Sequence, residues 1–207
     1  MIFDIIKIVL LFTAFGLLHS LLASFWIKNK IIYLFKEKIA FYRLFYNIFS
    51  IMLLLLVLII SPKINIIINK LYEPYNFILI IPFFIGLTGI IFTLRYISIL
   101  EFLGIKQIIR YFNNTYSIDD LDEQINLRIE GSYKYTRHPL YFFSILILFS
   151  IPEMTVSNFT IIFCIVIYFY IGSIFEEKKL EKVFGETYLN YKKKVPRIIP
   201  TFRAYNE

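Results

Sequence analysis

The sequence predicts an all-α integral membrane protein: a bundle of about five transmembrane helices with a C-terminal helical hairpin and a cytoplasmic amphipathic tail. Three observations point there. The chain is 58% hydrophobic and 18% charged, whereas a soluble domain is about 45–50% apolar and about 25% charged. Its apolar residues gather into runs that can cross about 30 Å of hydrocarbon. Its basic residues gather between those runs rather than inside them. A chain of 207 residues suits one compact bundle, so a single membrane domain over 1–207 is expected. It comprises three N-terminal spans in 1–99, a cytoplasmic connection over 100–139, a helical hairpin over 140–175 and a cytoplasmic tail over 176–207.

The first run, Ile5 to Trp26, is longer than the apolar region of a secretory leader, contains His19 and lacks a small-residue cleavage site. It reads as a retained span. His19 is a polar residue at membrane depth and therefore a functional candidate. With Ser20 and Ser24 beside it, a plain interhelical hydrogen bond is the simpler reading. Phe41 to Ser61 and Asn76 to Ile99 form the second and third spans. Leu140 to Ile151 is short by itself. It reaches spanning length only if its helix takes in part of the Tyr133–Pro139 approach, or if it tilts or meets a thin region. Phe159 to Phe175 is the fifth span, and the tight connection SIPEMTVSN between them (Ser150 to Asn158) predicts an antiparallel hairpin. Cys164 lies in this last run as a small buried hydrophobe. As the chain's one cysteine, it excludes an internal disulfide and a cysteine-based zinc site.

Charge placement orients the bundle. Under this layout 19 of the 22 lysines and arginines fall on one side, against Lys7, Lys63 and Lys70 on the other. The positive-inside rule then puts the N-terminus outside and the C-terminus in the cytoplasm. The net charge of +7 is thereby explained by anionic lipid, and a nucleic-acid partner is not expected.

Polar chemistry concentrates where the hairpin opens. In GSYKYTRHPLYFF (Gly131 to Phe143), Pro139 suits the first turn of a helix and the residue before it should be extended. A membrane helix starting there points unpaired N–H groups toward the loop, an arrangement that favours a carboxylate or phosphate. Arg137 strengthens that preference. The hairpin brings this wall to EEKKLEKVFGETYLNYKKKVPRIIP (Glu176 to Pro200), where Glu176 and Glu177 leave the membrane needing partners. The two carboxylates follow each other about 100° apart on one helix. They cannot face one pocket equally, and Glu177 is expected to matter more. A ligand with a carboxylate, a cation and an aromatic base satisfies both walls, and S-adenosylmethionine has all three. Tyr133, Tyr135, Tyr141, Tyr188 and Tyr191 offer ring faces for it. Ordinary interfacial anchoring by tyrosine, arginine and lysine, with a solvated EEKKLEK face, accounts for the same residues. The sequence carries no GxGxxG, no P-loop, no nucleophile elbow, no HExxH and no metal-ligand set. It has no βαβ pattern either, which excludes the soluble, parallel-sheet type of methyltransferase.

The combined pattern RHPxY, EExxL and FGxxYxxY with a closing proline resembles the signature of the isoprenylcysteine carboxyl methyltransferase and phospholipid methyltransferase superfamily. FGLLHSLLAS, EFLGIKQ and IPEMT are similar to its methanethiol S-methyltransferase branch, which also resembles membrane accessory proteins of denitrification. The likeness covers nearly the whole chain. It implies an S-adenosyl-L-methionine-dependent membrane enzyme. Tyr135, Arg137, His138, Pro139 and Tyr141 match the segment lining the cofactor pocket, and Glu176 and Glu177 match the acidic pair. Tyr188 and Tyr191 match an aromatic wall, and Gln107 matches through GIKQ. The prenylcysteine branch implies an arginine about one turn before the paired glutamates. GSIF (Gly172 to Phe175) has none, which favours a small thiol such as methanethiol, converted to a thioether.

On this reading Arg137 and His138 are the catalytic candidates, His138 holding the cofactor in preference to deprotonating the thiol. The remaining partners are the lipid bilayer and a small lipophilic thiol, with no obligate protein partner, in a bacterial inner membrane. The alternatives are methylation of a prenylcysteine, isoprenoid or lipid, and a non-catalytic membrane accessory protein sharing the fold.

Overall fold

The computed structural model describes residues 1–117 and 127–205. The middle of the expected cytoplasmic connection and the last two residues lie outside them. Helices dominate: α1 (Ile2–Ala23), α2 (Phe25–Phe35), α3 (Tyr42–Ile60), α4 (Ile80–Leu94), α5 (Ile99–Leu103), α6 (Ile105–Phe112), α7 (Pro139–Phe149) and α8 (Val156–Lys194). One small antiparallel strand pair, β1 (Ile67–Lys70) with β2 (Glu153–Thr155), modifies the all-α expectation.

Among the described residues four helical stretches are long and apolar enough to cross a membrane: Ile2–Ala23, Trp26–Ile60, Tyr75–Leu94 and Val156–Lys194. Large apolar side chains stand exposed along them, among them Leu10, Leu17, Met52, Ile59, Phe84 and Phe163. Lipid, not water, is the solvent such faces match, because helices already satisfy their own backbone groups. The protein is an integral membrane protein.

The expected fourth span is a short apolar helix, Pro139–Phe149. α7 is an 11-residue helix, about 16 Å long at 1.5 Å per residue, against about 30 Å of hydrocarbon. Its approach does not lengthen it. Residues Gly131–Lys134 form a 3-10 turn, and His138, kept out of the helical region before the proline at φ −125° and ψ 65°, leaves the helix to start at Pro139. Two other connections differ from the loops expected. The stretch from α2 to α3 stays helical through a 3-10 turn over Lys36–Phe41. α8 is 39 residues long and continues past the apolar run, kinking at Gly185 (φ 51°, ψ −128°) on its way into the segment read as tail.

The contacts divide the chain into two compact units. One comprises Met1–Ile5, Lys63–Ile97 and Asn126–Glu207. Within it α7 lies close against α4: a Cβ on Gly89 would come within 2.4 Å of the Phe143 ring, and one on Gly86 within 2.8 Å of the Phe143 carbonyl oxygen. Small residues are what allow membrane helices to approach this way. At the far end of α7, β1 pairs with β2, and Lys70 is ion-paired to Glu153. The IPEMT stretch therefore carries β2 in the connection between α7 and α8.

The other unit comprises Ile6–Pro62 and Ser98–Ile125. Here the His19 ring joins α1 to α3. Its Nδ1 lies 3.0 Å from the Ser50 hydroxyl and its Nε2 lies 2.6 Å from the Tyr46 hydroxyl. That is the interhelical hydrogen bond the sequence favoured, made to α3 rather than to the neighbouring serines. α5 and α6 are tied together by a bidentate ion pair, with Arg110 donating at 2.8 and 3.2 Å to the Glu101 carboxylate.

Candidate functional site

The RHP stretch is held by backbone before its side chains act. Gly131 takes φ 57°, and a Cβ there would stand 2.2 Å from the Tyr96 ring, so only glycine fits the turn that starts the motif. The segment from Pro196 onward then runs beside residues 134–138. The Arg137 and His138 amides donate to the carbonyls of Pro196 and Arg197 at 2.9 and 3.0 Å, and the Thr201 and Tyr205 amides donate back to Tyr135 and Lys134 at 3.0 and 2.9 Å. The buried Thr136 hydroxyl lies within reach of the Arg197 and Ile198 carbonyls at 3.0 and 2.8 Å.

Glu177 is the centre of the cluster. Its side chain is 1% exposed, a depth at which a carboxylate persists only if fully paired. Arg137 donates to it from Nε at 3.0 Å and Nη2 at 2.9 Å. Arg197 donates through Nε at 3.0 Å and Nη2 at 3.1 Å, and the Lys192 ammonium lies 3.3 Å away. The remaining Arg137 nitrogen, Nη1, caps the end of α8 by donating to the carbonyls of Lys192 and Val195 at 2.8 and 2.5 Å.

His138 bridges the acidic pair. Nε2 faces Glu177 at 3.3 Å and Nδ1 faces Glu176 at 3.2 Å. A carboxylate only accepts, so both ring nitrogens must carry protons to satisfy both contacts. The imidazolium is thus the matching form. Burial pulls the ring toward neutrality, but hydrogen bonds and charge from Glu176 and Glu177 outweigh it and raise its pKa. The sign of the pH dependence follows. The stability contributed by this proton is complete below the ordinary histidine value of about 6.5 and is lost as pH rises through the raised folded-state value. The chain has two histidines, so NMR of ring-labelled protein, assigned with His138→Gln, should show one ring titrating above about 6.5. A His138 ring already neutral at pH 6 would contradict the bridge.

Glu176 is the open member of the pair, its side chain 54% exposed. The Tyr141 hydroxyl donates to it at 2.7 Å. Tyr141 is itself fixed in a parallel stack, 5.2 Å from the His138 ring and 4.5 Å from Phe169.

The other predicted residues are placed as follows. Pro139 is the first residue of α7. Tyr135 is 42% exposed and Tyr133 is partly buried, its carbonyl accepting from the Tyr191 hydroxyl at 2.6 Å. Tyr188 and Tyr191 are 1% and 2% exposed, packed with Val195, Leu180 and Phe184 in a small core. Among the described residues the Tyr188 hydroxyl has no hydrogen-bond partner. Gln107 belongs to the other unit, on α6, where its amide nitrogen donates to the Glu101 carbonyl at 3.2 Å and its amide oxygen has no partner among the described residues. Arg197, Lys192 and Thr136 were missed. The one sequence signal for Arg197 was its place between Pro196 and Pro200, at the end of the matched motif.

These features define a helical membrane protein with a buried, charge-compensated cluster where two helices leave the apolar region. The chain belongs to DUF1295, a family described as of unknown function, whose model matches residues 29–195. It is 33% identical over 121 residues to a methanethiol S-methyltransferase of Pseudomonas deceptionensis, covering 58% of this chain and 44% of that protein. It is 31% identical over 100 residues to one from Crocosphaera subtropica, covering 48% and 37%. To methanethiol S-methyltransferase 1 of Bradyrhizobium diazoefficiens it is 35% identical over 72 residues, covering 35% and 25%. The matched segments thus span less than half of these relatives' length. No solved structure matches the chain.

Proposed function

We propose that this protein is a membrane methyltransferase that uses S-adenosyl-L-methionine to methylate a small lipophilic thiol such as methanethiol, giving a thioether. The observation that carries the reading is the cluster of Arg137, His138, Glu176 and Glu177, within a chain 33% identical over 121 residues to a methanethiol S-methyltransferase.

The donor set fits the amino-acid end of such a cofactor. Glu176 is a half-exposed carboxylate whose orientation is fixed by Tyr141 and His138, and it would take the ammonium group. Arg197 remains 24% exposed after binding Glu177, and together with the start of α7 it favours the carboxylate. The faces of Tyr133 and Tyr135 provide aromatic surface for the rest. When bound, the cofactor supplies an electrophilic methyl group. The chain's own contribution is positional. His138 holds Glu176 against the helix start, and Glu177 locks Arg137 and Arg197. The apolar walls of α7 and α8 exclude water from a thiol arriving through the bilayer.

The test is a headspace assay of cells expressing the protein and fed methanethiol, in which dimethyl sulfide should appear above the vector control. Calorimetry with S-adenosylhomocysteine separates an enzyme from an accessory protein, because only the former must bind it. The proposed orientation, N-terminus outside and C-terminus cytoplasmic in a bacterial inner membrane, rests on the lysine and arginine bias. A reporter fused after Glu207 should read cytoplasm and one near Lys70 the outside. A periplasmic C-terminus would overturn both the orientation and cytoplasmic access of the cofactor.

A further inference from the structure

We propose that the C-terminal segment Pro196–Tyr205 is a membrane-docking strap. It lies in the headgroup layer of an anionic bilayer, inserting Ile199 and Phe202 and meeting lipid phosphates with Lys193, Lys194 and Arg203. The segment carries two large apolar side chains left uncovered among the described residues: Ile199 is 77% exposed and Phe202 is 104% exposed. They do not belong to a loosely held end. Amides of Arg137 and His138 donate to Pro196 and Arg197, and amides of Thr201 and Tyr205 donate to Tyr135 and Lys134. The Thr201 amide is thereby spent on the protein, as is the Ile198 carbonyl facing the Thr136 hydroxyl, while Ile199 and Phe202 stand outward.

Two independent markers set the depth of this segment. It pairs with the residues immediately before Pro139, where apolar α7 begins. Its Arg197 grips Glu177, two residues beyond Phe175 at the end of the apolar run of α8. The strap therefore sits at the boundary between hydrocarbon and water, the depth at which aromatic and aliphatic side chains flanked by cations partition into an interface. The flanking charge has one sign. Lys193, Lys194 and Arg203 are exposed, the Lys194 ammonium lies 5.1 Å over the Tyr205 ring beside the strap, and the only acid at this end is Glu207. That charge matches an anionic lipid surface. Because the same strap carries Arg197, docking it holds that partner of Glu177 in place. Lipid composition would in this way bear on the cluster's order without contacting it.

The experiment reads membrane contact and not methyl transfer, so it stands or falls apart from the proposed function. The chain has one tryptophan, so Trp26→Phe combined with Phe202→Trp gives a single reporter at an exposed position, and Trp26→Phe with Ile199→Trp gives a second. Each full-length protein is reconstituted into phosphatidylcholine vesicles with and without phosphatidylglycerol. With phosphatidylglycerol present, both reporters should shift to the blue, be quenched by bromine on the lipid acyl chains, and be shielded from acrylamide. Lys193→Gln and Lys194→Gln should each reduce the docked-to-free ratio about fivefold. Equal acrylamide access in both vesicle types, matching free tryptophan, would overturn the proposal. So would shielding that grows with protein density instead of phosphatidylglycerol content, since that marks a second copy as the occupant.

Discussion

Glu177→Gln is expected to lower stability by about 3–5 kcal/mol, the cost of leaving buried charges without their counter-ion, while Glu176→Gln leaves it nearly unchanged. The asymmetry is physical. Glu177 is 1% exposed and receives Arg137, Arg197 and Lys192. An amide in its place loses the negative charge and turns a donor toward guanidinium groups that can only donate. Arg137 cannot escape to water, since its side chain is 7% exposed. Glu176 has a side chain 54% exposed, and its amide can still accept from Tyr141. Cofactor affinity should follow a different ratio. Glu176→Gln removes one charge-assisted contact worth about 1.5–3 kcal/mol, weakening S-adenosylhomocysteine binding roughly 10- to 150-fold. Glu177→Gln should abolish most binding because Arg197 and the strap lose their anchor. Thermal unfolding in detergent and calorimetry separate the two effects. Equal, small changes from both substitutions would return the pair to a solvated helix face.

The contrast between these residues marks how far the sequence could be read. Apolar runs are local, so four membrane-crossing stretches were visible directly, as was the start of α7 at Pro139. What escaped was mostly long-range. The strand pairing of Ile67–Lys70 with Glu153–Thr155 joins segments that no periodicity links. Arg197 reaches Glu177 across 20 residues, and Arg137 reaches it across 40. The tail looked separate because its composition turns polar at Glu176, yet helix propensity in EEKKLEKVF carries α8 onward to the kink at Gly185. The motif marked where the cluster lies. Ranking Glu177 ahead of Glu176 from helix geometry alone could not show that one is a buried counter-ion and the other an open carboxylate. That difference depends on which cations fold back over the helix.

His138→Ala is expected to insert and fold yet lose nearly all of the proposed methyl transfer. The imidazole lies at the N-cap position of α7 without donating or accepting a cap bond itself, and Pro139 together with the 2.9 and 3.0 Å amide contacts of Arg137 and His138 fixes the backbone independently of the ring. Losing the ring should therefore cost stability within the usual 0.5–3 kcal/mol of a single substitution. Its effect on the site is larger because the ring bridges Glu176 and Glu177 and is the platform on which Tyr141 stacks. Without it Glu176 keeps, among the described residues, the Tyr141 hydroxyl, and a half-exposed carboxylate with that one tether would no longer define where the proposed cofactor's amino end rests. Misplacing a reacting group by about 1 Å can cost about 100-fold in rate. Tyr141→Phe, which removes the other tether but keeps the stack, should weaken binding less and leave the imidazole titration in place. His138→Gln restores one hydrogen bond but not the bridging charge, so its turnover should fall between the wild type and His138→Ala. A folded His138→Ala protein turning over methanethiol at the wild-type rate would remove His138 from the site and, with it, the link between the cluster and the chemistry.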